Sequence, residues 1–122
     1  MSDKDKKNPV LIADTNTRNL ELLNQFLIKE GCTPTSVSKL EDLKAVLESK
    51  MEIDLAIVDI SSFGKAIWEY CARLQQEDIP LLIISPPRQS NIVTKESIRH
   101  GASGVLTKPV AIKELRFIIH ES

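Results

Sequence analysis

The chain has 122 residues, an ordinary length for one domain and enough to bury a hydrophobic core without metal or disulfide support. Its 16 Lys plus Arg stand against 17 Asp plus Glu, so there is neither a basic field to attract nucleic acid nor an acidic excess to attract a basic partner. No apolar run is long enough to span a membrane, Met1 to Asn8 is too polar for a signal peptide, and Cys32 and Cys71 lack ligand-like spacing. These features predict a reduced, cytoplasmic chain with a flexible leader over residues 1–8 and one domain over 9–122.

Val10 to Ala13 is an apolar run that ends in Asp14 and reads as a buried strand. Leu20, Leu23, Leu27 and Ile28 follow at helical spacing; Thr15 and Thr17 are placed to cap the start of this helix and Gly31 its end. A weaker strand near Thr35 to Val37 leads to Ser38-Lys39-Leu40-Glu41. This reads as a capping box, with Ser38 and Glu41 satisfying free amides of a helix whose buried stripe is Leu40, Leu43 and Leu47. Asp54-Leu55-Ala56-Ile57-Val58-Asp59 is apolar without polar alternation, as in a central parallel strand covered on both faces, and it ends in a carboxylate. Ile67, Cys71 and Leu74 form the inner face of a third helix, on which at least one of Trp68 and Tyr70 is expected to pack.

The run Leu81 to Ile84 ends in Ser85, and Pro86-Pro87 prevents its continuation. A fourth helix is expected from about Asn91 to His100, stopping at Gly101. Gly104 to Thr107 is the last strand and delivers Lys108-Pro109, after which Ile112, Leu115 and Ile119 line a final helix. Five strand-helix units with short connections predict a doubly wound α/β fold, a parallel sheet with helices on both faces. Asp14, Asp59, Ser85 and Lys108 each terminate a strand, so all four converge on the carboxyl edge of that sheet. Two carboxylates can hold Mg²⁺ with retained waters, a lysine supplies charge for phosphate oxygens, and a hydroxyl adds a neutral hydrogen bond. This set of groups suits the reception of a phosphoryl group.

From Pro9 to His120 the chain resembles the receiver domains of bacterial two-component response regulators. The resemblance is carried by Val10-Leu11-Ile12-Ala13-Asp14, Asp54 to Asp59, Ile79-Pro80 through Ser85, and Gly101-Ala102-Ser103-Gly104-Val105-Leu106-Thr107-Lys108-Pro109. It implies a flavodoxin-like three-layer sandwich with sheet order 2-1-3-4-5. It further implies that Asp59 accepts phosphate from a sensor histidine kinase or phosphotransfer protein. Asp14 and Asp59, with the Ser61 backbone carbonyl, would hold Mg²⁺, while Ser85 and Lys108 would contact the phosphoryl group. Pro109 matches a position where the family usually has a cis peptide. The output would be protein contact, with no nucleic acid bound by this domain and no membrane.

Several positions depart from the family pattern. Thr15 stands where a second acid is usual, which weakens the implied metal site. Ser61-Ser62-Phe63-Gly64 replaces the usual Met-Pro and Gly-containing loop, and Pro86 removes a backbone amide donor. Val105 replaces the aromatic residue that ordinarily switches rotamer.

Two readings of different classes follow. One is a working phosphoacceptor; the other is a pseudo-receiver, in which a permanent Asp59–Lys108 pair holds one conformation for phosphorylation-independent protein contact. A third, an FMN binder, is suggested by Thr15-Asn16-Thr17-Arg18-Asn19, although only Phe63 is available nearby to stack on a flavin. The surface of the fourth helix, last strand and last helix would carry Lys95, Glu96, Arg99, Lys113 and Arg116 and would meet a downstream protein or form a homodimer. His100 and His120 lie near helix ends as exposed partners of the helix dipole.

Overall fold

The computed structural model describes residues 8–60, 63–86, 95, 104–108 and 110–121. In chain order the elements are β1 (Pro9–Ala13), α1 (Thr17–Lys29), β2 (Thr33–Val37), α2 (Leu40–Glu48), β3 (Leu55–Asp59), α3 (Ile67–Gln76), β4 (Leu81–Ser85), β5 (Gly104–Thr107) and α4 (Ile112–Glu121). The strands form one sheet in the order β2-β1-β3-β4-β5, and every pairing is parallel. The expected doubly wound architecture is therefore the observed one. Ser61, Pro109, His100 and most of the helix expected over 91–100, including Glu96 and Arg99, lie outside the described residues; Lys95 is helical and exposed.

Side chains alternate across a strand, so the unbroken apolar runs of β1, β3 and β4 feed two cores at once. Leu11, Ala13, Ala56, Val58, Leu81 and Ile83 point to one face and meet Leu43 and Leu47 of α2 with Ile67, Cys71 and Leu74 of α3. Val10, Ile12, Leu55, Ile57, Leu82 and Ile84 point to the other and meet Leu20 and Leu27 of α1 with Leu115 and Ile119 of α4. Leu27 and Leu115 are fully buried, and burial on that scale stabilises by about 2 kcal/mol for each side chain. Trp68 and Tyr70 both pack, partly buried, against the α2–α3 core, as expected. The edge strand β2 is the least apolar because it pairs only with β1, and its open edge accommodates Pro34, which has no N–H to donate.

Helix ends follow local chemistry more closely than the sequence suggests. Asn16, and neither Thr15 nor Thr17, caps α1: its side-chain oxygen accepts the Asn19 N–H at 3.1 Å. The α1 terminus is a Schellman turn in which Cys32 N–H donates to Leu27 O at 2.9 Å and Gly31 N–H to Ile28 O at 3.1 Å, with Gly31 at φ 86°. A second such turn ends α3, where Asp78 takes the left-handed position at φ 58°. The capping box is not formed. Lys39 occupies the N-cap of α2 without a side-chain bond, so Ser38 falls one residue too early and Glu41 only adds favourable charge to the first turn. Of the apolar residues at helical spacing, Ile28 of α1 and Ile112 of α4 remain 58% and 50% exposed.

Candidate functional site

The sheet order reverses direction after β2: the chain steps outward from β1 to β2 and then returns to place β3 on the other side of β1. This switch point opens a crevice at the carboxyl ends of β1 and β3. Ala13 pairs with Val58 and Asp59 with Ile84, so Asp14 and Asp59 emerge side by side. Ser85 pairs with Thr107, which brings Lys108 beside the end of β4. The Lys108 N–H donates to Ser85 O at 2.9 Å and fixes the chain where the lysine departs.

The carboxylates are deeply set. Asp14 is 4% exposed and Asp59 3%. Burial raises the pKa of Asp14; the Asn16 N–H, donating to its Oδ1 at 2.8 Å, opposes that rise, and the neighbouring Asp59 charge adds to it. The Asn19 side chain and the Lys108 charge also favour the ionised form. Lys108 Nζ lies 2.6 Å from Asp59 Oδ2, and its side chain keeps 33% of its exposure. A flexible stem with a compact charge is suited to this half-wet position.

Ser85 is fully buried, and its hydroxyl donates to Pro86 O at 3.0 Å. Thr15 is exposed beside the acids, and Val105 packs, partly buried, against the α2–α3 core. Asp14, Asp59 and Lys108 are thus brought together, with Ser85 at the adjoining strand end.

A cleft of about 600 Å³ leads from these groups between α1 and α4. Asp14, Asn19, Asp59 and Lys108 line its polar part; Leu22, Leu23, Phe26, Val110, Ile112 and Leu115 supply its apolar walls. Asn19 falls in the helix-start segment already singled out after the first strand, whereas the roles of Leu22 and Phe26 are not apparent from strand-end logic. Their signal is a second stripe on α1 with Asn19, at spacings of three and four residues, beside the buried stripe of Leu20 and Leu27. At the far end, Glu30 accepts from Arg116 Nε at 3.1 Å and pairs with His120 Nε2 at 2.9 Å, tying the end of α1 to α4. His120 does lie in the last helical turn, as expected, and gains this tertiary partner there.

A sequence model of the response regulator receiver domain matches residues 10–120. The chain belongs to the response regulator receiver domain family. The heme response regulator HssR of Staphylococcus saprophyticus is 28% identical over 110 residues, which is 89% of this chain and 48% of that protein. The chain therefore spans about half the length of the curated relatives it matches. A CheY-like receiver domain protein from Methanospirillum hungatei superposes with a TM-score of 0.82 at 22% identity, covering 93% of this chain and 91% of the other. A receiver domain from Clostridium thermocellum gives 0.79 at 19% identity, covering 94% and 93%. At those identities the two structures establish the fold alone.

Membership places this receiver in two-component signalling and leaves no support for the flavin reading. Among the described residues no helix is long and apolar enough to cross a membrane.

Proposed function

We propose that this receiver accepts a phosphoryl group on Asp59 from the phosphohistidine of a sensor kinase or phosphotransfer protein. The observation that supports the reading best is the convergence of Asp14, Asp59 and Lys108 from three strand ends at the mouth of a cleft. A carboxylate oxygen of Asp59 attacks phosphorus in line. The new O–P bond forms as the P–N bond breaks, and the donor imidazole keeps that electron pair. Lys108 already pairs with Asp59 and can follow the charge onto the phosphoryl oxygens as it develops. Ser85 would serve the same oxygens after its hydroxyl turns from the Pro86 carbonyl.

Two adjacent buried carboxylates fit Mg²⁺, which is commonly held by one or two carboxylates together with waters and substrate phosphate oxygens. Among the described residues no group of three acidic or soft ligands is present, so the fit is to a minimal site. When bound, the ion would neutralise charge on the transferring group; Asp14 and Asp59 would hold it, with the Ser61 carbonyl as a further candidate. Thr15 contributes no charge.

One observation favours the second reading. The Asp59–Lys108 pair is formed while the Ser85 hydroxyl is bonded to Pro86, an arrangement that a pseudo-receiver could keep permanently. In either case the output would be protein contact, through the face carrying β5 and α4. Intact-protein mass after incubation with acetyl phosphate and Mg²⁺, beside Asp59→Asn, separates the readings. A gain of one phosphoryl group that needs both Mg²⁺ and Asp59 is expected. No gain, under conditions that label an ordinary receiver, would leave the pseudo-receiver.

A further inference from the structure

The cleft is larger than phosphoryl transfer requires. A phosphoryl group and its metal would need only the acidic end, yet the cavity reaches about 600 Å³, within the range of sites that hold small organic ligands. Leu22 and Ile112 remain 55% and 50% exposed on its two walls, and the Phe26 ring lies between α1 and α4 with the Arg116 guanidinium 5.8 Å from its centroid. Arg116 is itself paired with Glu30, so its charge is already answered. Among the described residues, the charged side chains lining the cleft are Asp14, Asp59 and Lys108, two carboxylates against one ammonium. Lys108 is paired with Asp59. The balance of negative charge therefore rests with Asp14, next to an apolar trough.

We propose that this cleft binds small amphipathic amines, with the ammonium group against Asp14 and Asp59 and an aromatic or branched apolar body along Leu22, Phe26 and Ile112. Without a metal ion to answer its charge, an anionic head would meet two carboxylates and is disfavoured. The ammonium group and Mg²⁺ occupy the same acidic end, so each excludes the other. The proposal stands on the charge and shape of the cleft and not on phosphoryl transfer, so failure to label Asp59 would leave it intact.

The test is a methyl and amide NMR titration of the full chain with phenylbutylamine, with phenylbutyrate and phenylbutanol in parallel. Saturable shifts at Leu22 and Ile112 are expected, with the amine binding at least about tenfold more tightly than the carboxylate, equivalent to about 1.4 kcal/mol. Asp14→Asn should abolish the amine's advantage and leave phenylbutanol unchanged. Mg²⁺ should raise the apparent Kd of the amine. Equal binding of amine and carboxylate, or shifts confined to residues outside the cleft, would overturn the proposal. So would shifts at Leu22 and Ile112 that follow protein concentration alone, which would assign the cleft to a second copy of the chain.

Discussion

Asp14 carries an electrostatic cost that its neighbours only partly relieve. Its pKa is raised above the ordinary 3.8, first by burial and then by Asp59, despite the Asn16 and Asn19 bonds and Lys108. For a carboxyl shifted in this direction, the contribution to stability is complete below 3.8 and is lost as pH rises through the folded value. Asp14→Asn removes that loss. The variant should therefore melt higher than the parent at neutral pH, and the gap should close as pH falls toward 3.8. A constant gap in thermal unfolding across that range would show that the carboxylate is not the cause. Thr15 is the complementary case. It is exposed beside the acids, so Thr15→Asp adds a charge close to the proposed metal position. Calorimetric titration should show Mg²⁺ binding strengthened roughly tenfold, since a unit charge at a few ångströms contributes about 1–4 kcal/mol near a surface. Unchanged affinity would mean that position 15 points away from the ion.

Among the elements, α1 does most to shape the site. Its N-cap Asn16 donates a backbone N–H to Asp14, its first turn presents Asn19, and its next two turns wall the cleft. Its far end is held by the Schellman turn at Gly31 and by Glu30 bonding to α4. His120 and Arg116 keep the Glu30 carboxyl below the usual range. A depressed acid stabilises above its unfolded value and loses that support on acidification, so this tie weakens as pH falls through the folded pKa. Nothing lies within 4 Å of a methyl group built on Gly31, so Gly31→Ala meets only the backbone cost of φ 86°. Chemical denaturation should show a loss of about 1–2 kcal/mol. A loss above about 3 kcal/mol would require steric damage that the open surroundings do not supply.

For the whole molecule, two cores share one sheet, and every strand of the interior contributes to both. Neither core can dissolve without exposing the reverse face of the sheet to water, so unfolding should be a single cooperative event. The single Trp68 reports the α2–α3 side, while far-ultraviolet circular dichroism reports every helix. Their denaturation curves should coincide. Separate midpoints would show that the α1–α4 layer, which borders the cleft, opens on its own.

Much of the fold was legible because parallel sheets buried on both faces demand unbroken apolar runs. Leu55 to Val58 and Leu81 to Ile84 could hardly be read otherwise. The strand ends then determine that Asp14, Asp59, Ser85 and Lys108 share one edge, since all strands run in one direction. Helix caps were less legible: a one-residue change in the start of α2 removes the Ser38–Glu41 box, and Asn16 competes with two threonines for the same amides. Distances and free space were not legible at all. The 2.6 Å Lys108–Asp59 pair, the turn of Ser85 toward Pro86, and the cleft between α1 and α4 depend on how residues distant in the chain are brought together. Which chemical groups reach the edge of the sheet could be read from the chain, because strand direction is a local consequence of pattern. Which of them touch, and what space remains beside them, is set by packing between helices and so belongs to the folded molecule.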